Sequence, residues 1–197
     1  MIHSLPDFPP LFPDGKWWKL RLASMLDGAS REESIVFANR ERGLKPREWM
    51  RFRIVDRKDT EVLLSLPMVH GASALKNHKP DSWRVVDDKT HLRKLDATVS
   101  TLYGHTPYFS LVWPGFGFVD VATETSRDVC LKMDGIVCHL LGLDSPSLVN
   151  SLRNADMSEE KYASIVENMV RFREDLSIVD GLFRYGPEII FRLIPTL

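Results

Sequence analysis

Met50-Arg51-Phe52-Arg53-Ile54-Val55-Asp56-Arg57-Lys58-Asp59-Thr60-Glu61-Val62-Leu63-Leu64-Ser65-Leu66 is the stretch on which the reading of the fold turns. Its first six residues alternate, Met50, Phe52 and Ile54 against Arg51 and Arg53, with the period of two that a half-buried strand demands. Glu61 to Leu66 is a second run rich in β-formers. Between them, Asp56-Arg57-Lys58-Asp59 has the composition of a hairpin turn. Pro67 ends the second strand because proline has no N–H to give to a ladder. The stretch predicts a β-hairpin with one apolar and one basic face.

Upstream, Ser34 to Ala38 is a compact apolar run, expected as a buried strand that delivers Asn39-Arg40-Glu41-Arg42-Gly43 from its end. Trp17, Trp18, Leu20, Leu22 and Met25 are expected as core packing on a short helix ending near Gly28. Pro6, Pro9, Pro10 and Pro13 leave room before Gly15 for a short strand and an anchored irregular loop, not for a helix. Downstream, residues 70 to 82 read as a long surface loop and a candidate lid. Leu92, Leu95, Val99 and Leu102 recur at helical spacing between Lys89 and Tyr103, with Gly104 as the stop. Leu111 to Val121 fits a strand or a bent connection. Val129, Met133, Ile136, Val137, Leu140 and Leu141 form another helical stripe closed by Gly142. Further helices are expected from Ser145-Pro146, from Ser158 and from Ser177, the last ending at Gly186-Pro187. Strand-like and helical segments interleave without repeats or linkers. This predicts an α/β or α+β fold, a single compact domain over residues 1–197 in which a small mixed sheet with the hairpin is covered by several helices.

A chain of 197 residues with 44% hydrophobic and 27% charged residues can bury a substantial core. Its 26 basic and 27 acidic side chains give a net charge of -1, so no global field draws it to nucleic acid or an anionic membrane. Charge is instead local: residues 40 to 58 carry eight basic and three acidic side chains, a net of +5. Arginine forks match carboxylate and phosphate oxygens, which makes Arg40, Arg42, Arg51 and Arg53 candidates for holding a nucleotide diphosphate or an acidic sugar. A solvated strand face with scattered ion pairs is the alternative. Aromatic interleaving is thin and no nucleic-acid motif occurs, so no nucleic-acid partner is expected. The N-terminal prolines oppose a signal peptide, and no apolar stretch reaches the length of a membrane span, which together predict a cytoplasmic protein.

Cys130 and Cys138 share one helical pattern roughly 12 Å apart, too far for a disulfide. Six histidines show no zinc-ligand spacing, so no metal is expected. Without a Gly-x-Gly-x-x-Gly, a Walker loop or a Gly-x-Ser-x-Gly elbow, no cofactor can be named.

The string Asp175-Leu176-Ser177-Ile178-Val179-Asp180-Gly181-Leu182-Phe183-Arg184-Tyr185-Gly186-Pro187-Glu188 is more particular than composition requires. With Asn39-Arg40, Leu64-Ser65-Leu66-Pro67 and Leu102-Tyr103-Gly104-His105-Thr106-Pro107-Tyr108-Phe109 in the same order, it resembles the WbqC-like family over most of the chain. The resemblance implies a bacterial protein of surface-polysaccharide (O-antigen type) or related small-molecule biosynthesis, read first as a transferase acting on an activated sugar. In that reading Asn39, Arg40 and Arg42 hold an anionic ligand such as a nucleotide sugar. Trp83 and Tyr103 match the family's aromatic positions, whereas the place of its histidine holds Leu95, with His91 nearby.

Asp180 and Glu188 are the catalytic candidates. If residues 177 to 185 are helical and Gly186-Pro187 reverses the chain, the two carboxylates approach, and burial would raise one pKa for general-acid work. The structural alternative has Ser177 and Asp180 organising one helical turn and Glu188 starting the next. At the level of function, the alternative is a noncatalytic ligand-binding or assembly module with an anion-binding basic face.

Overall fold

The computed structural model describes residues 6–43, 45, 48–69, 83–144, 169 and 172–194. The candidate lid at residues 70 to 82 and the helices expected from Ser145 and Ser158 lie outside the described residues. Helices and an antiparallel hairpin combine into an α+β arrangement in the order α1 (Gly15–Leu26), α2 (Arg31–Arg42), β1 (Arg51–Val55), β2 (Glu61–Ser65), α3 (Lys89–Tyr103), α4 (Phe109–Val112), α5 (Ser126–Leu140), α6 (Ile178–Tyr185) and α7 (Ile190–Leu193).

The hairpin forms where the alternation places it. Arg51 pairs with Ser65, Arg53 with Leu63 and Val55 with Glu61, so Phe52 and Ile54 enter the core while Arg51, Arg53 and Leu63 share the outer face. Asp56 turns the chain by accepting the N–H groups of Lys58 at 2.7 Å and Thr60 at 2.9 Å. Those backbone hydrogen bonds hold its carboxyl below the ordinary value.

The segment expected as a strand at Ser34 to Ala38 is helical, because stronger start and stop signals flank it. Ser30 accepts from the Glu33 N–H at 3.2 Å and Glu33 returns a bond to the Ser30 N–H at 2.8 Å, a closed capping box. Glu32 and Glu33 sit at the positive end of the helix, Arg40 and Arg42 at the negative end, and Gly43 stops it at φ 58°. Ile35, Ala38 and Asn39 then form one buried stripe facing α1. No strand forms between residues 6 and 14. Asp14 instead makes an isolated bridge with Ser177. Residues 111 to 121 become helical turns, Trp113–Phe116 and Phe118–Val121, hinged at Gly117.

One hydrophobic cluster runs from Phe8 to Leu193 and draws on each of the seven helices α1 to α7. Phe12, Phe52, Trp113, Phe116 and Phe183 are linked through edge-to-face and tilted ring contacts at 4.9 to 6.2 Å. Each such buried ring contributes ~1.5–3 kcal/mol over its exposed form. Gly186 is required where it stands: its φ is 62°, and a Cβ would meet the Tyr108 ring at 2.7 Å. The two cysteines are free and buried.

Candidate functional site

The N-terminal segment, the hairpin and the chain after Phe172 are sewn together at one edge of the molecule. Leu11 N–H donates to Trp49 O at 2.7 Å, Ser177 N–H to Arg53 O at 2.8 Å, Ile178 N–H to Pro13 O at 2.9 Å and Lys16 N–H to Glu174 O at 3.0 Å. The Ser177 hydroxyl also donates to Phe12 O at 2.9 Å. These ties hold Phe12, a bulky residue, at φ 45°, a backbone state that costs roughly 1–3 kcal/mol and persists only where the surroundings impose it.

Between the three segments lies a cleft of about 350 Å³. Its polar lining comprises Asp14, Arg42, Glu48, Arg51, Arg53, Asp175 and Ser177, and its apolar lining includes Phe12, Trp17, Phe52 and Leu63. Leu63 is 52% exposed at its rim. The charges fall into two groups. Arg42 donates from Nε and an Nη to both oxygens of Asp14, a fork that keeps the guanidinium charged against its partial burial, with Glu48 adding a smaller attraction. Arg173 likewise donates to both oxygens of Asp175, at 3.2 and 2.7 Å, and holds that carboxyl below the ordinary range. Arg51 and Arg53 have no such partner among the described residues. Glu48 accepts the Lys45 N–H at 2.8 Å and has no ion-pair partner among the described residues.

Of the binding residues expected from sequence, Arg42 reaches this cleft. Asn39 is fully buried behind it, where its amide donates to Pro6 O and Phe8 O at 2.9 and 3.0 Å and its carbonyl accepts from the Trp17 indole at 2.9 Å. Arg40 is exposed, bonded to Glu41 at 3.1 Å and lying over the Phe37 ring. Trp83 is buried, and its carbonyl accepts the Ser126 N–H at 2.8 Å.

Tyr103 and Asp180 meet in the core and do not line the cleft. The phenol donates to Asp180 Oδ1 at 2.6 Å and accepts the Val55 N–H at 3.0 Å, while Arg184 Nε donates to the same Oδ1 at 3.0 Å. Burial, then the Asp180 charge, push the Tyr103 hydroxyl far up, so it remains a donor. Asp180 Oδ2 is buried without a partner among the described residues. Glu188 is exposed on the turn Gly186–Ile189, so the two carboxylates occupy opposite environments.

The sequence points to Arg51 and Arg53 as anion ligands but not to Asp14, Glu48, Leu63, Asp175 and Ser177 as their companions. Asp14 was detectable as the N-cap before Gly15, and it accepts the Trp17 N–H at 2.9 Å. Convergence of segments far apart in sequence left no local signal for the rest.

Among the described residues, no three side chains of His, Cys, Asp or Glu converge to hold a metal, and no helix is long and apolar enough to cross a membrane. Comparison of the chain with protein-family models, with curated proteins and with solved structures finds no match.

Proposed function

We propose that this chain is a cytoplasmic binding protein for a small anionic ligand, working in the surface-polysaccharide setting that its resemblance to the WbqC-like family implies. The observation that supports the reading is the pair Arg51 and Arg53. They stand two residues apart on the outer face of β1, line a cleft, and lack ion-pair partners among the described residues. Two forks on one strand face, roughly 7 Å apart along the chain, can converge on one carboxylate or phosphate. Arg42 forms the cleft wall beside them, its charge matched by Asp14.

A second reading, a transferase acting on an activated sugar, draws on Glu48. This carboxylate lines the same cleft and is suited to accept a proton from a ligand hydroxyl, a role for which neither Asp180 nor Glu188 is placed.

A thermal-shift panel of nucleotide sugars, sugar phosphates and sugar acids tests both. A ligand that binds the native state raises the melting temperature, and the shift should vanish in Arg51→Gln/Arg53→Gln. If no member gives an arginine-dependent shift, the binding reading fails. Turnover that disappears in Glu48→Gln while binding persists would select the transferase.

A further inference from the structure

We infer that the cleft takes a small ligand with a single oxyanion head and hydrogen-bond-donating groups near it, a hydroxylated carboxylate or phosphate monoester, and not a nucleoside diphosphate. This rests on the anion-binding reading above and narrows its ligand class.

The first argument is charge. Among the described residues, three arginines and three carboxylates line the cleft, but Arg42 with Asp14 and Asp175 with Arg173 are already paired internally. Arg51, Arg53 and Glu48 remain, one net positive charge. The two forks suit one oxyanion. Glu48, acceptor-only when ionised, repels a second anion placed beside it and instead takes a hydrogen from a hydroxyl or ammonium.

The second argument concerns helix ends. Helix N-termini are where a further phosphate would be received. Among the described residues, the two that reach this cleft are closed by their own side chains: Asp14 accepts the Trp17 N–H of α1, and Ser177 Oγ accepts the Val179 N–H of α6 at 3.4 Å. Asp14 also sets a carboxylate at the mouth of α1, where a phosphate would have to sit.

The third is size. A volume of about 350 Å³ lies at the bottom of the range for ligand pockets, roughly 300–1,000 Å³. That suits one ring or a short chain with its head group. Leu63, exposed opposite Arg53 on β2, offers an apolar surface for the C–H face of such a ring.

Titration calorimetry decides the matter, with four probes: a hexose phosphate monoester, a hexuronate, inorganic phosphate and a nucleoside diphosphate hexose. The first two should bind at least about tenfold tighter than inorganic phosphate, the nucleoside diphosphate hexose should bind no tighter than they do, and Arg51→Gln/Arg53→Gln should lose all binding. Glu48→Gln, which keeps an acceptor for the Lys45 N–H, should weaken the hexose phosphate or the hexuronate about tenfold, while inorganic phosphate binds as tightly as before or more tightly. Whichever of the two heads binds tighter identifies the source of the oxyanion. Arginine-dependent binding of the nucleoside diphosphate hexose tenfold tighter than the rest would overturn this inference and leave the anion cleft standing. Inorganic phosphate equal to the hexose phosphate and the hexuronate, or no effect of Glu48→Gln, would also overturn it. No arginine-dependent binding of any probe would overturn both readings. Melting temperatures of the variants, unchanged from wild type, separate these outcomes from misfolding.

Discussion

Arg21 and the pair Arg51 and Arg53 are the same kind of side chain put to opposite uses. Arg21 is fully buried in α1, forked onto both oxygens of Asp134 from α5 and packed over the Trp18 ring at 4.8 Å and the Trp17 ring at 5.3 Å. Asp134 is also reached by Arg31 at 3.0 Å. The two Nη groups of Arg21 are thus answered by a buried carboxylate, while its Nε is buried without a hydrogen-bond partner among the described residues. Arg51 and Arg53 line a cleft with no ion-pair partner among the described residues. An arginine committed to folding needs a desolvated partner, since burial without one is too costly. An arginine available to a ligand must avoid a partner, because internal pairing would compete with binding.

The contrast is broken most severely from the buried side. Asp134→Ala strands Arg21 between two indoles and should cost ~3–5 kcal/mol in denaturant unfolding. Tyr103→Phe removes one hydrogen bond from Asp180 and leaves the Val55 N–H without its acceptor. It should cost about 1–3 kcal/mol, and equal stability with wild type would show the Tyr103 and Asp180 contact to be incidental. Asp14→Ala removes both the α1 cap and the partner of Arg42, at about 1–2 kcal/mol. Because Arg42 then becomes available, anion affinity at the cleft should rise while stability falls, a pairing of effects that titration and melting together would detect.

The buried thiols sharpen the comparison through pH. Burial pushes Cys138 from its ordinary value near 9 to about 11 and raises Cys130 well above its own. The folded chain therefore holds these protons more tightly than the unfolded chain. The resulting stability is complete below about pH 9 and is lost as pH climbs toward about 11. A thiol reagent at neutral pH should leave the native chain untouched and label both cysteines once it is unfolded. Prompt labelling of the native chain would mean that the packing around α5 opens. The smallest expected effect is on the other side: Arg51→Ala or Arg53→Ala should change stability by no more than about 0.5 kcal/mol.

How much of this was legible follows from the range of each signal. Hairpin alternation is local, and so are the helical stripes between Lys89 and Tyr103 and after Val129, and the structure agrees with all three. Ser34 to Ala38 has the apolar run of a strand, but the Ser30 and Glu33 capping box, equally local, decides for helix. Arg51 and Arg53 could be singled out because alternation put them on the outer face. Nothing near Glu48 or Asp175 announces that residues so distant in sequence border one cleft. Asn39 shows the reverse problem: a polar residue beside a basic run suggests a ligand, but its three hydrogen bonds all serve the N-terminal segment and Trp17.

The central claim is that one set of arginines belongs to the fold and the other to a ligand, and thermal unfolding of Arg21→Ala beside Arg51→Ala/Arg53→Ala tests it most directly. Arg21→Ala should melt far below wild type and the double variant within a few degrees of it. A double variant that melts as early as Arg21→Ala would mean that Arg51 and Arg53 hold the fold together, and the account of the cleft as an anion site would be wrong.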